Sequence, residues 1–265
     1  MYDNICKYLA ENFQEDLAIW LLGSPVKLTE LSPTELSNEP IRADSLILLQ
    51  SKNLILHIEF QTNGEKKIPF RMLDYRVRGH RRFPDQEMRQ VVIYLRKTDS
   101  ELVYENSFKL NKTYHEFEVI RLWEQPTETF MTAPGLLPFA VLSQTEDPTM
   151  VLTEVAQAVA GIKNRQQQRD IAAASSILAG LVLNQSIINK MFRSEIMRES
   201  VIYQEILQEG EAKGKAEGRA EGKAETTRKL AINLLRIGMN LEQIAEVTEL
   251  SLDQVQALQQ EVQSF

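Results

Sequence analysis

The chain is poor in the residues that cross-link proteins or bind zinc. Its 265 residues contain one cysteine, Cys6, and three histidines. A single thiol excludes an internal disulfide framework and is typical of a reducing compartment, so we expect a cytoplasmic protein. Cys6 follows a helical apolar pattern and is expected in the core. So few sulfur and imidazole ligands also argue against a structural zinc site.

Long apolar runs are missing too. No segment approaches the roughly 18–20 apolar residues that cross a bilayer, so we expect no membrane partner. The opening MYDNICKYLAENF has no basic region followed by an apolar core, and we expect no signal peptide. The net charge of −7 argues, on average, against a nucleic-acid partner. Residues 66–97 are an exception, because they contain ten Lys or Arg and three acidic residues.

The apolar pattern predicts an α/β fold in the first half of the chain, with a mixed sheet flanked by helices. The expected elements are a helix over 3–22, a connection over 24–41, strands over 43–50 and 54–61, a helix from about Pro69 to about Pro84, and strands over 91–95, 101–104 and 117–123. A Pro-rich loop follows over 125–150, and the remainder reads as helical. The expected divisions are a core over 1–145, a helical extension packing on it over 146–208, a Gly/charged repeat over 209–225, and a helical hairpin over 226–265.

The C-terminal part contains no clear DNA-reading surface. The repeat EGEAKGKAEGRAEGKAE is either a flexible tether or a helix whose glycine stripe admits a partner helix, and we favour a helix stabilised by packing. The segment LEQIAEVTELSLDQV has helix-turn-helix spacing, with Ile244, Ala245, Leu250 and Val255 as its expected core. Residues 240–265 contain no Lys or Arg. Phosphates repel such an acidic surface, so we expect homo-oligomerisation or partner docking through these helices.

An acidic residue stands in an otherwise apolar strand, LILHIEFQ. Residues two apart on a strand share a face, so His57, Glu59 and Gln61 are expected on one side of the sheet. A two-residue loop at Lys52-Asn53 places Leu46 opposite Glu59, and makes Asp44 a diagonal neighbour of Glu59 at roughly 7–8 Å. Two such carboxylates can share Mg²⁺ or Mn²⁺. The alternative is that Asp44 begins a strand and Glu59 reaches solvent.

The helix after this strand is strongly basic. On a helical wheel, Phe70, Leu73 and Val77 form one stripe, and a second stripe lies roughly 90–120° away. The second stripe consists of Arg71, Tyr75, Arg78 and Arg82. It suits the phosphodiester backbone of DNA. The alternative is a solvated helix face.

These residues resemble a known family of nucleases. The segments YDNICKYL, IRADSLILL, HIEFQT, IPFRMLDYRVR and VVIYLR are similar to the Rpn-type recombination-promoting nuclease and transposase family, over residues 1 to about 210. That family belongs to the PD-(D/E)XK superfamily, which implies a restriction-endonuclease-like fold. The resemblance implies that Asp44, Glu59 and the Phe60 carbonyl bind the metal, and that Gln61 stands where most of the superfamily has lysine. Asp3 matches an N-terminal acid of the family, and His57 is a further auxiliary candidate.

The function expected from these residues is Mg²⁺-dependent cleavage of DNA in recombination or mobile-element biology. A metal-activated water would attack the phosphodiester, with Gln61 as its positioning group. One alternative is a transposase-type strand-cleavage protein. Another is a catalytically weak DNA-binding or scaffold protein that oligomerises through its C-terminal helices. We also expect truncation of Asp44 or Glu59 to leave the fold intact or slightly more stable, because carboxylate repulsion is relieved.

Overall fold

A computed structural model of the protein describes residues 2–31, 46–192 and 200–263. Its helices and strands are, in chain order, α1 (Tyr2–Asn12), α2 (Gln14–Leu22), β1 (Thr29–Glu30), β2 (Leu46–Gln50), β3 (Leu54–Gln61), α3 (Ile68–Arg82), β4 (Glu87–Tyr94), β5 (Ser107–Leu110), β6 (Thr113–Glu116), β7 (Glu118–Arg121), α4 (Thr127–Phe130), α5 (Leu137–Ala140), α6 (Pro148–Ala160), α7 (Arg165–Ala179), α8 (Gln185–Met191), α9 (Val201–Arg236), α10 (Leu241–Thr248) and α11 (Leu252–Gln263).

A mixed sheet organises the first two thirds of the chain. Within the described residues it has five strands in the order β1-β2-β3-β4-β7. The β1–β2 and β2–β3 pairs are antiparallel, whereas β3–β4 and β4–β7 are parallel. Helix α3 connects β3 to β4, as a parallel pair requires. The expected mixed α/β architecture is confirmed at this level.

The two faces of the sheet have different coverings. Even-numbered residues of β3, such as Leu56 and Phe60, enter the main core together with α1, α2 and α5–α8. Odd-numbered residues face α3, where Ile55 packs against Tyr75. Gly79 lets α3 come close to β4, because a Cβ there would lie 2.7 Å from the Met88 sulfur. Cys6 is fully buried in the main core, as expected.

Several elements differ in the structure from those predicted. The single helix expected over 3–22 is two helices, interrupted at Phe13, and Gly23 ends the second at a φ of 73°. The strand expected over 101–104 is a 3₁₀ turn, because the Ser100 hydroxyl accepts a hydrogen bond from the Leu102 N–H. The β5–β6 hairpin and β1 were not expected. The apolar stretch 134–142 contains α5 and lies in the main core.

The chain divides into two compact units, residues 1–206 and 207–265. In the first unit, α6 and α7 share the core of the sheet. In the second, the end of α9 packs with α10 and α11 around Ala231, Ile244, Val255 and Leu258. The expected pair of short helices and the turn near 249–251 are confirmed, and the Gly/charged repeat is helical within α9.

None of the described helices could span a membrane. Helix α9 has the required length at 36 residues, but its charged side chains recur throughout.

Candidate functional site

The β2–β3 hairpin has the predicted register. Leu46 lies opposite Glu59 and Leu48 opposite His57. The Ser51 N–H donates to the Leu54 carbonyl at 2.8 Å, which closes a two-residue loop. The register prediction is therefore confirmed over the described strand. Asp44 lies outside the described residues, so its predicted position beside Glu59 stays a prediction.

A polar group occupies the end of β3 on the face toward α3. His57 and Glu59 are fully buried, and Gln61 is 9% exposed. The same face nearer the start of β3 carries Ile55, which belongs to an apolar cluster. The prediction that these three polar residues share a face is confirmed, whereas the alternative that Glu59 reaches solvent is wrong.

Arg71 of α3 neutralises Glu59. The Arg71 Nε lies 3.1 Å from Glu59 Oε1 and 3.0 Å from Oε2, and Nη2 lies 2.6 Å from Oε2. Burial acts to raise the pKa of Glu59, but His57 and Arg71 outweigh burial and hold that pKa below its ordinary value. Arg71 is nearer than His57 and always charged, so we assign it the larger part. Glu59 is therefore ionised at neutral pH.

The Glu59–Arg71 ion pair changes the expected effect of Glu59 substitutions on stability. Removing one member of a buried ion pair leaves the other without its partner, which destabilises the fold. Truncation of Glu59 is thus expected to lower stability, not to raise it. The earlier expectation considered only repulsion from Asp44 and missed the positive charge supplied by α3.

A hydrogen-bonded chain fixes the orientation of His57. The Gln90 side-chain amide of β4 donates to the Met72 carbonyl at 2.8 Å and lies 2.9 Å from His57 Nδ1. The Gln90 side-chain oxygen lies 2.9 Å from His115 Nε2. Rotating the amide by 180° would point an oxygen at the Met72 carbonyl, so Met72 sets its direction.

The tautomer of His57 follows from that direction. Because Gln90 donates to Nδ1, this nitrogen carries no proton, and neutral His57 is protonated at Nε2. Nε2 is 3.5 Å from Glu59 Oε1 and makes no hydrogen bond within the described residues. At His115, burial and then the positive charge of Arg76 lower the pKa. A neutral His115 with a proton on Nε2 is the donor that Gln90 needs.

Gln61 and the Phe60 carbonyl lie beside the carboxylate. The Gln61 amide nitrogen is 3.4 Å from Glu59 Oε2, a long hydrogen bond. The Leu95 N–H donates to the Gln61 carbonyl, so odd-numbered residues of β3 bond to β4. Backbone groups alternate along a strand, and the Phe60 carbonyl is therefore directed to the β2 side. Beyond Leu46 that side lies outside the described residues. The side chain of Asp3, in α1, is also outside them.

The expected DNA-binding stripe on α3 is not a continuous exposed surface. Arg71 is held by Glu59, and Arg78 Nε lies 2.9 Å from Asp74. Arg82 is exposed, 5.8 Å above the Phe83 ring. Tyr75 is 4% exposed and packs edge-on against His57, so its expected role as a DNA contact is wrong. Burial and then the charge of Glu59 raise the pKa of Tyr75 to about 12, which keeps its hydroxyl protonated.

The apolar stripe on α3, which contains Phe70 and Val77, does not face the core. Phe70 is 58% exposed and Val77 is 46% exposed. Phe70 contacts the Phe108 ring of β5 at 5.5 Å between centroids. The face of α3 that is buried consists of Ile68, Pro69, Met72, Tyr75 and Gly79. A helical wheel shows which residues of α3 share a side of the helix. Only the packing of the helix shows which of those sides the sheet covers.

Sequence reasoning missed Gln90 and His115 as members of this site. Gln90 precedes the apolar run that marked the strand, and His115 lies on a hairpin that was not expected. No local pattern connects either residue to His57, because the contacts depend on how β4 and the β5–β6 hairpin pack. The only signal in the sequence was the polar side chain of Gln90, at a position of β4 that is buried.

The fit of a divalent cation depends on Arg71. A carboxylate and a backbone carbonyl are the oxygen ligands that Mg²⁺ prefers. Both Glu59 oxygens, however, are occupied by the guanidinium of Arg71. The part of the chain that the structure describes contains no group of three or more His, Cys, Asp or Glu that could hold a metal. These residues fit a cation once Arg71 moves away and a second acid joins Glu59.

Comparison of the chain with protein-family models, curated proteins and solved structures returns no match.

Proposed function

We propose that this protein is a Mg²⁺- or Mn²⁺-dependent DNA endonuclease with a restriction-endonuclease-like core. The observation that carries the proposal is an ionised, fully buried Glu59 at the end of a central strand. Burying a carboxylate costs several kcal/mol unless it is paired, and an apolar residue would serve a purely structural strand better. Such costly groups cluster at functional sites.

Different residues of the chain would bind the cation, position the attacking water and bind the DNA backbone. Asp44, Glu59 and the Phe60 carbonyl would hold the cation, which when bound lowers the pKa of a coordinated water. Gln61, with no group that can take up a proton, would position that water. His57, oriented by Gln90, would direct its Nε2–H toward Glu59 Oε1, 3.5 Å away. The α3 helix would hold the DNA backbone through Arg78 and Arg82.

Nicking of supercoiled DNA tests the activity. The wild-type protein should nick in MgCl₂ or MnCl₂ and not in EDTA, and Glu59→Gln should abolish nicking. Glu65→Gln is the matched control, because Glu65 lies 3.9 Å from the Arg71 guanidinium yet is 54% exposed. Equal activity in Glu59→Gln and wild type, per folded molecule, would refute the proposed role of Glu59.

Phosphate contacts by α3 have a separate test. Changing Arg78 and Arg82 together to Gln should weaken DNA binding irrespective of sequence, because backbone contacts do not read bases. The log–log salt slope should decrease by about 0.9 per lost contact. The control changes Arg89 and Arg121 to Gln, since these pair with Glu118 and Glu124 on other elements. A slope that falls equally in both variants would indicate general electrostatics instead of contacts by α3.

A catalytically inactive DNA-binding or scaffold protein is the second candidate. The occupation of both Glu59 oxygens by Arg71 favours it, because the pair could serve as a structural connection between β3 and α3. This candidate expects Glu59→Gln to lower stability and expects no metal-dependent nicking by the wild-type protein.

A further inference from the structure

We propose that Phe70 of α3 and Phe108 of β5 form a stacking platform for unpaired bases, so that the DNA bound by this protein contains a single-stranded region. The inference rests on the proposed function, because it takes DNA as the ligand, and deepens it by naming the class of substrate.

The stacking platform is apolar surface that water reaches. Phe70 is 58% exposed, and the Phe108 ring lies 5.5 Å from it, centroid to centroid. Leu110, also 58% exposed, follows Phe108 by two residues on the same face of the β5–β6 hairpin. Single exposed apolar side chains are common on proteins, but a group of adjacent ones is typical of an interaction surface.

The geometry of the two rings leaves room for a planar partner. Their planes are tilted by 57°. At this angle Phe108 does not cover the face of Phe70 as a parallel ring would. The exposed surface of Phe70 can therefore receive a flat group, and Phe108, which is half-buried, supports Phe70 from the hairpin side.

The charge near the stacking platform favours nucleic acid over protein. Lys66 and Lys67 precede Phe70 by one helical turn, and Lys109 and Lys112 lie on either side of Leu110. All four lysines are exposed. Residues 65–82 contain seven Lys or Arg and two acidic residues, although the whole chain has a net charge of −7. Protein interfaces are depleted in lysine, whereas phosphates attract it.

Exposed phenyl rings select unpaired bases. The paired bases of a duplex stack on one another and present only their edges in the grooves. A phenyl face reaches a base face only where the strand is unpaired. Such stacking changes the affinity by roughly 5- to 150-fold per base. Phe70 directly precedes Arg71, which contacts Glu59, so the stacking platform adjoins the candidate site.

Three variants separate stacking from general apolar contact. Phe70→Leu keeps an apolar side chain and removes the ring, whereas Phe70→Trp keeps a ring. The control is Tyr114→Leu. Tyr114 is 54% exposed on the same hairpin, but it pairs with Lys109 and lies on the face opposite to Phe108. Circular dichroism and thermal unfolding first establish that the variants fold. If Phe70→Leu does not fold, Phe108→Leu replaces it.

DNA binding is measured in EDTA by fluorescence anisotropy, with the full-length proteins. Two DNAs have the same length and number of phosphates: a paired duplex, and the same duplex with a central unpaired bubble. The wild-type protein should bind the bubble more tightly. Phe70→Leu should lose roughly 5- to 150-fold in affinity for the bubble. Its affinity for the duplex should change by less than about twofold, because phosphate contacts hold the duplex. Tyr114→Leu should bind both DNAs as the wild-type protein does.

Fluorescence of Phe70→Trp reports stacking directly. An indole that stacks on a base loses fluorescence, so adding an oligothymidine strand should quench Phe70→Trp more than it quenches the wild-type protein. Adding the paired duplex should not. This readout also distinguishes a protein partner. If the strand leaves Phe70→Trp unquenched, and light scattering shows that Phe70→Leu lowers the oligomeric state, a second copy of the chain covers this surface and the inference is overturned.

The outcomes distinguish this inference from the proposed function. Equal affinity of the wild-type protein for bubble and duplex overturns the inference, as does a loss in Phe70→Leu that is equal for both DNAs or is matched by Tyr114→Leu. Nicking by the wild-type protein together with any of these results leaves the proposed function standing. The expected binding results without nicking support the stacking platform and overturn the endonuclease. No binding of either DNA overturns both.

Discussion

At the scale of residues, a buried charge and a buried hydrogen-bond network lie close together on the α3 side of β3. Glu59 receives hydrogen bonds from Arg71, and His57 is oriented by Gln90. These side chains come from β3, α3 and β4. We therefore expect a substitution at each position to lower the free energy of unfolding, and each substitution to have its own effect on pH dependence or on the His57 tautomer.

The Glu59–Arg71 pair predicts a specific pH dependence of stability. A carboxyl whose pKa is lowered on folding stabilises the protein above its unfolded pKa, and that contribution is lost as the pH falls through the folded value. At pH 7, Glu59→Gln should lower the free energy of unfolding of the first unit by about 1–3 kcal/mol. The difference from wild type should shrink as the pH falls below 4.5, the ordinary value. Urea unfolding at several pH values measures it.

Glu65→Gln serves as the control for that experiment. Its carboxylate is 54% exposed, and an exposed pair contributes about 0–1 kcal/mol. A difference for Glu59→Gln that stays constant down to acidic pH would contradict an ionised Glu59 in the folded protein.

Gln90 predicts both a tautomer and a stability effect. In the wild-type protein, nitrogen NMR should show His57 protonated at Nε2 and unprotonated at Nδ1. Gln90→Leu leaves the Met72 carbonyl and two imidazole nitrogens without this partner, and should cost about 1–3 kcal/mol. Urea unfolding checks the cost, and the His57 nitrogens should then show a mixture of tautomers.

Gln86→Leu is the comparison for Gln90→Leu. Gln86 bonds to Gln50 and to hairpin carbonyls near the surface, where water can replace it. It should destabilise less and leave the His57 nitrogen signals unchanged. Protonation of Nδ1 in the wild-type protein would show that the assignment through Gln90 is wrong.

At the scale of elements, the turn between α10 and α11 contains a strained position. Glu249 adopts a φ of 58°, a conformation that costs an ordinary L-residue roughly 1–2 kcal/mol. Its contact with Lys223 joins side chains that are 78% and 79% exposed, so the contact contributes little. Glycine fits such helix ends best.

Glu249→Gly should therefore stabilise the second unit by about 0.5–1 kcal/mol after the entropy cost of glycine. Hydrogen exchange of α10 and α11 amides measures the change. Glu246→Gly, placed inside α10, should instead destabilise by about 1 kcal/mol. Faster exchange in Glu249→Gly would contradict the conformation of this turn.

At the scale of the whole molecule, the two units have separate cores. The second unit buries Ile244 and Val255 completely, but leaves Ile237 75% exposed and Val247 60% exposed. Its last 26 residues, 240–265, contain no Lys or Arg. Because apolar side chains are exposed here and the terminal stretch has no positive charge, we expect the second unit to associate with protein and not with DNA.

Deleting residues 226–265 tests that assignment. The deletion removes the whole apolar cluster of the second unit, because Ala231 leaves together with α10 and α11. Light scattering should show a lower oligomeric state, while the salt slope of DNA binding and the unfolding of the first unit stay unchanged. A smaller salt slope would show that the tail contacts phosphates.

Local patterns alone determined much of this protein. The bounds of β3, the two-residue hairpin loop and the pairing of Leu46 with Glu59 follow from the apolar run and the turn residues, which act over short distances. The bounds of α3 and the helical tail follow likewise from periodicity. The shared face of His57, Glu59 and Gln61 required nothing beyond strand geometry.

Tertiary packing decided which side chains meet. The sequence places Arg71 and Tyr75 on one stripe of α3, one turn apart, and cannot show that the sheet buries Tyr75 while Glu59 captures Arg71. Gln90 and His57 are 33 residues apart and meet because β3 and β4 pair in parallel. Periodicity gives the phase of each element, whereas contacts depend on the distances and angles between elements, which are set by the packing of the whole core.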